Sequence, residues 1–255
     1  IEPIEWNRIG AFQDVTMRLV AERLLPEAAR AATYLRGELS RLDLVLQRPL
    51  PGRFHVYCSP NNAGAAALLH EMHEALGMQA VVSANPDELP SCGRMLLYLN
   101  GLTWTSGAMS DALAADVVKA MDARVPLLIA HEMPCAIGGD PARHSVEFDS
   151  FFACELGATP PALLGRGVYG PIAVAFKGGA WRRPGLVMLA QGLGGRVMGC
   201  GMGCCSSWVE LGEEATKASR RCRGIATRML RAVHRWSGRG ALPDELQLHA
   251  PSMRA

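Results

Sequence analysis

From Phe54 onward the chain alternates short apolar runs with amphipathic stretches. FHVYC (Phe54–Cys58) reads as a buried strand, and the loop SPNNAG opens a stretch of about residues 63–76. There Leu68, Leu69, Met72 and Leu76 recur at helical spacing, and Gly77 ends the helix. QAVVSA (residues 79–84) predicts a second strand, followed by the polar loop NPDELPSCG. LLYL (Leu96–Leu99) predicts a third strand, stopped by the turn residues Asn100 and Gly101. A helix of about residues 108–123 and the apolar run PLLIA (residues 126–130) follow, which together make a right-handed βαβ unit. IAVAF (residues 172–176) supplies a fifth strand, and residues 181–193 a closing helix with Pro184 tolerated in its first turn. Alternation of this kind predicts an α/β fold with a doubly wound parallel sheet, its five strands in the flavodoxin-like order 2-1-3-4-5.

The flanks follow other patterns. Residues 1–50 predict a helical segment. Its first helix carries Phe12, Val15, Leu19 and Val20. A second opens at Pro26 and carries Ala28, Ala31, Leu35, Leu39, Leu42 and Leu46. The run RPLPG (residues 48–52) breaks it and marks a boundary. The chain therefore divides into 1–50, an α/β domain of 53–194, and a Gly/Cys-rich loop with a tail over 195–255. Between Pro134 and Gly170, HSVEFDSFFACELG predicts a helix with Val146, Phe148, Phe151 and Phe152 facing inward.

Charge separates the tail from the body. Residues 51–214 carry ten basic and fifteen acidic side chains, whereas residues 215–255 carry nine against two. Residues 215–237 predict a basic amphipathic helix with Ile225, Met229, Val233 and Trp236 along one stripe. That combination suits an anionic membrane surface or a calmodulin-like partner through residues 215–240, with a plain docked helix as the alternative. No nucleic-acid partner is expected. Nearby Cys200, Cys204, Cys205 and Cys222 are candidate palmitate acceptors, whereas Cys58, Cys92, Cys135 and Cys154 are scattered singly, the pattern of reduced thiols. With 49% hydrophobic and 20% charged residues, and no run of about 18 apolar residues, the expectation is a cytoplasmic protein, peripheral to membranes if the tail binds them.

No GxGxxG follows the first strand and GxxxxGK[ST] is absent, which argues against a dinucleotide held in the usual Rossmann manner. His70 and His73 stand three apart rather than the four of the zincin pattern. His131, Glu132, His144, Glu147 and Asp149 have ligand chemistry but no ligand spacing, so no metal centre is expected. One residue of the central helix is out of place. Met109, Leu113, Val117 and Ala120 share its apolar face and Asp111, Lys119 and Asp122 its polar one, while Asp116 falls on the apolar flank. A carboxylate there has a partner, with Arg94 and Arg124 the candidates, or it has a chemical role.

The succession FHVYCSPNNAGAAALLHEMHEALG, QAVVSANPDELPSCG and LLYLNGLTWTSG…LAADVVKAMDARVPLLIA resembles a Toll/interleukin-1 receptor (TIR) domain over about residues 53–194. The resemblance implies a signalling or assembly module that associates with itself or with other TIR-like domains and requires no cofactor. Some TIR domains cleave NAD at the nicotinamide–ribose bond, with a catalytic Glu on the helix after the third strand in a pattern like E-[IV]-V-x-A-[LM]. Here Asp116-Val-Val-Lys-Ala-Met121 stands at that place, one methylene shorter at the acid. The resemblance thus makes NAD a candidate substrate and Asp116 the candidate catalytic residue. By position it makes Ser59, Asn61 and Asn62, and Asn85 with the loop to Leu89, the candidate nucleotide-binding residues. Trp104 is a candidate stacking residue, although the family places its Trp later, just before the carboxylate.

Overall fold

The computed structural model describes residues 3–30, 33, 35, 37–39, 43–105, 107–135, 138–152 and 158–197. The chain forms two compact units, Ile1–Gly199 and Cys200–Ala255. The expected basic helix and its cysteines belong to the second unit and lie outside the described residues.

The first unit is built on a five-stranded, all-parallel sheet. Its strands are β1 (Phe54–Cys58), β2 (Val82–Ser83), β3 (Cys92–Leu99), β4 (Leu127–Glu132) and β5 (Val174–Phe176). They lie in the order β2-β1-β3-β4-β5, so the sheet has the expected flavodoxin-like order. Both faces are covered, which is why the strands read as continuous apolar runs rather than as alternating ones. Leu96, Tyr98, Leu128 and Phe176 pack with Leu68 and Met72 of α2 (Ala65–Leu76) and with Leu186 and Leu189 of the closing helix α4 (Arg182–Gly192). On the other face Tyr57, Met95, Leu97 and Ile129 pack with Leu113, Val117 and Ala120 of α3 (Ala108–Asp122).

The N-terminal helix α1 (Gly10–Leu24) belongs to the same unit. Its buried Phe12 and Val15 pack with Ala175 and Trp181, and the Trp181 indole N–H donates to Phe12 O and Thr16 Oγ1, each at 3.3 Å. Burying a side chain of this size stabilises by about 1.5–3 kcal/mol, which ties α1 to the end of the sheet.

Three elements differ from the sequence expectation, two of them where a histidine ring bonds the backbone. The second strand is limited to Val82–Ser83. One residue earlier, the His55 ring Nδ1 accepts the Val81 N–H at 2.8 Å, replacing a backbone partner. Of the expected second N-terminal helix the described residues show the turn Glu27–Arg30, with Ala31 and Leu42 outside them, and Leu44–Val45 is extended, pairing antiparallel with Arg196–Val197 in a separate two-stranded ribbon. Of the helix expected from His144 onward the described residues show one 3-10 turn, Phe148–Phe151, and residues 153–157 lie outside them. Val146 before it is tied to the end of β4, its N–H donating to Glu132 O at 3.3 Å and its carbonyl meeting His131 Nε2 at 2.9 Å. Among the described residues no helix is long and apolar enough to cross a membrane.

Candidate functional site

In an open parallel sheet, ligands bind beyond the carboxyl ends of the strands where the strand order reverses, here between β1 and β3. Side-chain alternation along β1 sends Val56 and Cys58 toward α2 and Tyr57 toward α3. Ser59, two residues after Tyr57 and just past the strand, keeps the same side. Two hydroxyls therefore converge on α3. The Asp116 Oδ2 atom accepts from Ser59 Oγ at 2.6 Å and from Tyr57 Oη at 3.0 Å. Ser59 Oγ in turn accepts the Asn61 backbone N–H at 3.2 Å. The other carboxylate oxygen, Oδ1, accepts no hydrogen bond from the described residues.

The misplaced carboxylate is thus explained by hydroxyls and not by a cation. Tyr57 and Ser59 are buried while Asp116 is half-buried. Arg94 and Arg124, the partners expected from the sequence, form no ion pair with it, and no described salt bridge includes Asp116. Burial and then the negative charge of Asp116 push the Tyr57 phenol well above its ordinary value, so it remains a hydrogen-bond donor at any physiological pH.

Beside this cluster lies a cavity of about 220 Å³, walled by Asn61 and Ala63 after β1, Leu102–Thr105 after β3, and Met109, Ser110 and Leu113 of α3. Leu113 stands one helical turn before Asp116 on the same helix. The cavity is mostly apolar, with Asn61 and Ser110 among its polar edges.

The remaining expected residues have distinct positions. Asn61 contributes to both cluster and cavity, through its N–H and its side chain. Asn62 does neither. Its amide donates to Tyr98 O at 2.8 Å and accepts the Tyr98 N–H at 2.7 Å, so it pins the loop to β3. Asn85 is exposed and makes turn contacts, accepting the Asp87 N–H and donating its own N–H to Ser83 Oγ. Its loop is braced by Ser83 to Glu88 at 2.6 Å and by Lys119 of α3 to Asp87 at 3.2 Å. Trp104 lines the cavity as a wall. It is 2% exposed, has a left-handed φ of 57°, and donates its indole N–H to Tyr169 Oη at 3.0 Å. A left-handed bulky residue is held only by surrounding packing.

The sequence expectation does not include Tyr57, because an aromatic residue in an apolar strand is read as core. Its strand parity with Ser59 was the available signal. A second cluster was also missed. On the opposite face, Arg182 Nη1 reaches both Glu132 oxygens at 3.0 and 2.7 Å, and its Nη2 reaches Glu71 Oε2 at 2.5 Å. Tyr98 Oη donates to Glu132 Oε2 at 2.6 Å, and Arg143 Nη2 reaches Glu71 Oε1 at 3.2 Å. The guanidinium also lies 4.8 Å from the centre of the Phe176 ring. Glu132 is therefore a fixed counter-ion. Its neighbour His131 packs edge-on against Phe148 and Phe151, and burial lowers its pKa. No group of three or more His, Cys, Asp or Glu suited to a metal ion occurs among the described residues.

No protein-family model matches this chain, and no significant match to it exists among curated proteins or solved structures.

Proposed function

We propose that the α/β domain is a TIR-like module that cleaves NAD, with Asp116 as the catalytic carboxylate. The observation that carries this reading is the state of Asp116. It sits near the strand-order reversal, oriented by two hydroxyls, uncompensated by any described cation, and with one oxygen open. A carboxylate placed so can accept a hydrogen bond from a ribose hydroxyl and stabilise the positive charge that develops at the anomeric carbon. In the reaction the bond between that carbon and the nicotinamide nitrogen breaks. Nicotinamide leaves as the neutral base with the bonding electron pair, and water adds to the oxocarbenium-like carbon. ADP-ribose and one proton complete the products. The cavity lined by Asn61 and Leu113, though not by Asp116 itself, offers an apolar wall to one ring of the substrate.

Incubating the purified chain with NAD and following nicotinamide tests the reading. Release by the wild type that falls by about 10²-fold or more in Asp116→Ala supports it. Release that survives this substitution removes Asp116, and no release at any protein concentration removes the activity.

A second reading, association with copies of itself or other TIR-like domains, is favoured by the edge of the sheet. β2 is an edge strand with Val82 40% exposed, and the loop after it is tied by Ser83 to Glu88. An open edge beside a fixed loop suits association through strand and loop. Light scattering on Val82→Lys, expected to lower the oligomeric state, checks it. The basic run of residues 215–240 supports recruitment to anionic membranes. Co-sedimentation with phosphatidylserine vesicles, lost on deleting residues 215–255, checks that.

A further inference from the structure

Tyr57 has a buried side chain whose one polar atom donates to the Asp116 carboxylate, beside the Ser59 hydroxyl. Nothing about packing requires that atom. Tyr57 belongs to the apolar cluster of Met95, Leu97, Leu113 and Val117, where phenylalanine would fill the same space without a hydroxyl to satisfy. A buried hydroxyl is tolerated when it is hydrogen-bonded. Its backbone is also the most constrained in the site, because β1 lies between two strands and Tyr57 pairs with Ser83 on one side and Met95 on the other.

We propose that Tyr57 is a positioning residue for Asp116. Its hydroxyl approaches Oδ2 from the sheet, while Ser59 approaches the same atom from the loop. Two donors from separate points on a fixed strand end hold one oxygen in place and leave Oδ1 as the oxygen open to a ligand. A single donor leaves the short side chain able to swing about that contact. Aspartate has little length with which to reach a substrate, and a misplacement near 1 Å costs on the order of 10²-fold in rate. The arrangement is one of a rigid supporting residue beneath a reactive group. Burial and the Asp116 charge keep the Tyr57 proton in place across the working pH range, so the support does not titrate away.

The inference rests on the reading that Asp116 acts on a ribosylated substrate, so its test has two arms. In the first, Tyr57→Phe removes one oxygen atom. It is expected to lower kcat for nicotinamide release about 10-fold with KM changed less than about twofold, the split of an interaction needed in the transition state. Adding Tyr57→Phe to Asp116→Asn should cause no further loss, because both act through one group. A Tyr57→Phe enzyme with wild-type kcat beside an inactive Asp116→Asn enzyme overturns the positioning role and leaves the catalytic reading intact.

The second arm does not use activity. With ring-labelled tyrosine and NMR detection, the Tyr57 signal is identified by its absence from Tyr57→Phe. Asp116→Asn removes the charged acceptor of the Tyr57 hydroxyl and should shift the Tyr57 Cζ resonance at pH 7. An unmoved resonance shows that the two groups are not in contact and overturns the inference whatever the activity. A shifted resonance together with no nicotinamide release in the wild type refutes the catalytic reading instead, and with it any positioning role in that reaction.

Discussion

Two carboxylates on opposite faces of the sheet have been treated in opposite ways. Glu132, at the end of β4, has both oxygens engaged by Arg182, and one of them by Tyr98 as well. Asp116, on α3, has one oxygen engaged by two neutral hydroxyls and the other open. Both residues looked suspicious in the sequence, Glu132 as a metal-ligand candidate and Asp116 as a charge on an apolar flank. The difference lies in what answers the charge. A guanidinium with matched geometry makes a carboxylate part of the scaffold. A pair of hydroxyls orients a carboxylate and leaves its charge available. Paired charge is here a matter of fold, and oriented but unneutralised charge is what the proposed function puts to chemical use.

The comparison can be broken most forcefully at Arg182. Arg182→Leu leaves Glu132 buried without its cation and Glu71 without its main partner, and breaking a buried pair in this way costs about 3–5 kcal/mol. The urea unfolding midpoint should fall accordingly. Asp116→Ala leaves the buried Tyr57 hydroxyl without its carboxylate acceptor, about 1–3 kcal/mol, so it should move that midpoint less than Arg182→Leu does, while removing nicotinamide release.

The scaffold cluster should also appear in the pH dependence of stability. Burial pushes Glu71 up, but hydrogen bonds and charge from Arg182, with help from Arg143, hold it below its ordinary value of 4.5. A carboxylate with a lowered folded pKa contributes stability that is present above its unfolded value and lost as pH falls through the folded one. Thermal unfolding from pH 6 down to pH 2 should show this loss below pH 4.5, and Arg182→Leu should flatten that part of the curve.

A smaller effect is expected at Tyr98. Burial and the Glu132 charge raise its phenol well above the ordinary value of 10, so the folded state resists its ionisation. Stability should therefore decline as pH rises beyond 10, where the unfolded chain releases this proton first. Tyr98→Phe should lessen that decline, to which Tyr57 also contributes, and lower stability at pH 7 by about 1 kcal/mol, the net worth of one hydrogen bond. The two measurements are a midpoint at pH 7 and a series from pH 8 to 11.

The sheet was legible because its two-sided burial makes each strand a short apolar run, and the amphipathic stretches between them fix the crossovers. Legibility failed where a side chain takes over a backbone role, as His55 does for Val81 and His131 for Val146. Hydrophobic periodicity carries no trace of such bonds. Asp116 was legible because a helix turns position into direction, so a charge on the wrong side is visible in one dimension. Tyr57 was hidden because its ring satisfies the strand pattern and its hydroxyl is invisible to it. Arg182 and Glu132 stand 50 residues apart and meet only through the sheet, a separation no local pattern spans. Trp104 was legible as a cavity residue, but its burial and left-handed backbone follow from packing with Tyr169.

The most direct test of the account is a paired measurement on Asp116→Asn, reading the unfolding midpoint and nicotinamide release on the same preparation. The midpoint is expected within about 1 kcal/mol of the wild type, since the Asn carbonyl still accepts from the hydroxyls of Tyr57 and Ser59, and release lower by about 10²-fold or more. A large fall in the midpoint with release per folded molecule unchanged would contradict it, and would make Asp116 a second scaffold carboxylate like Glu132.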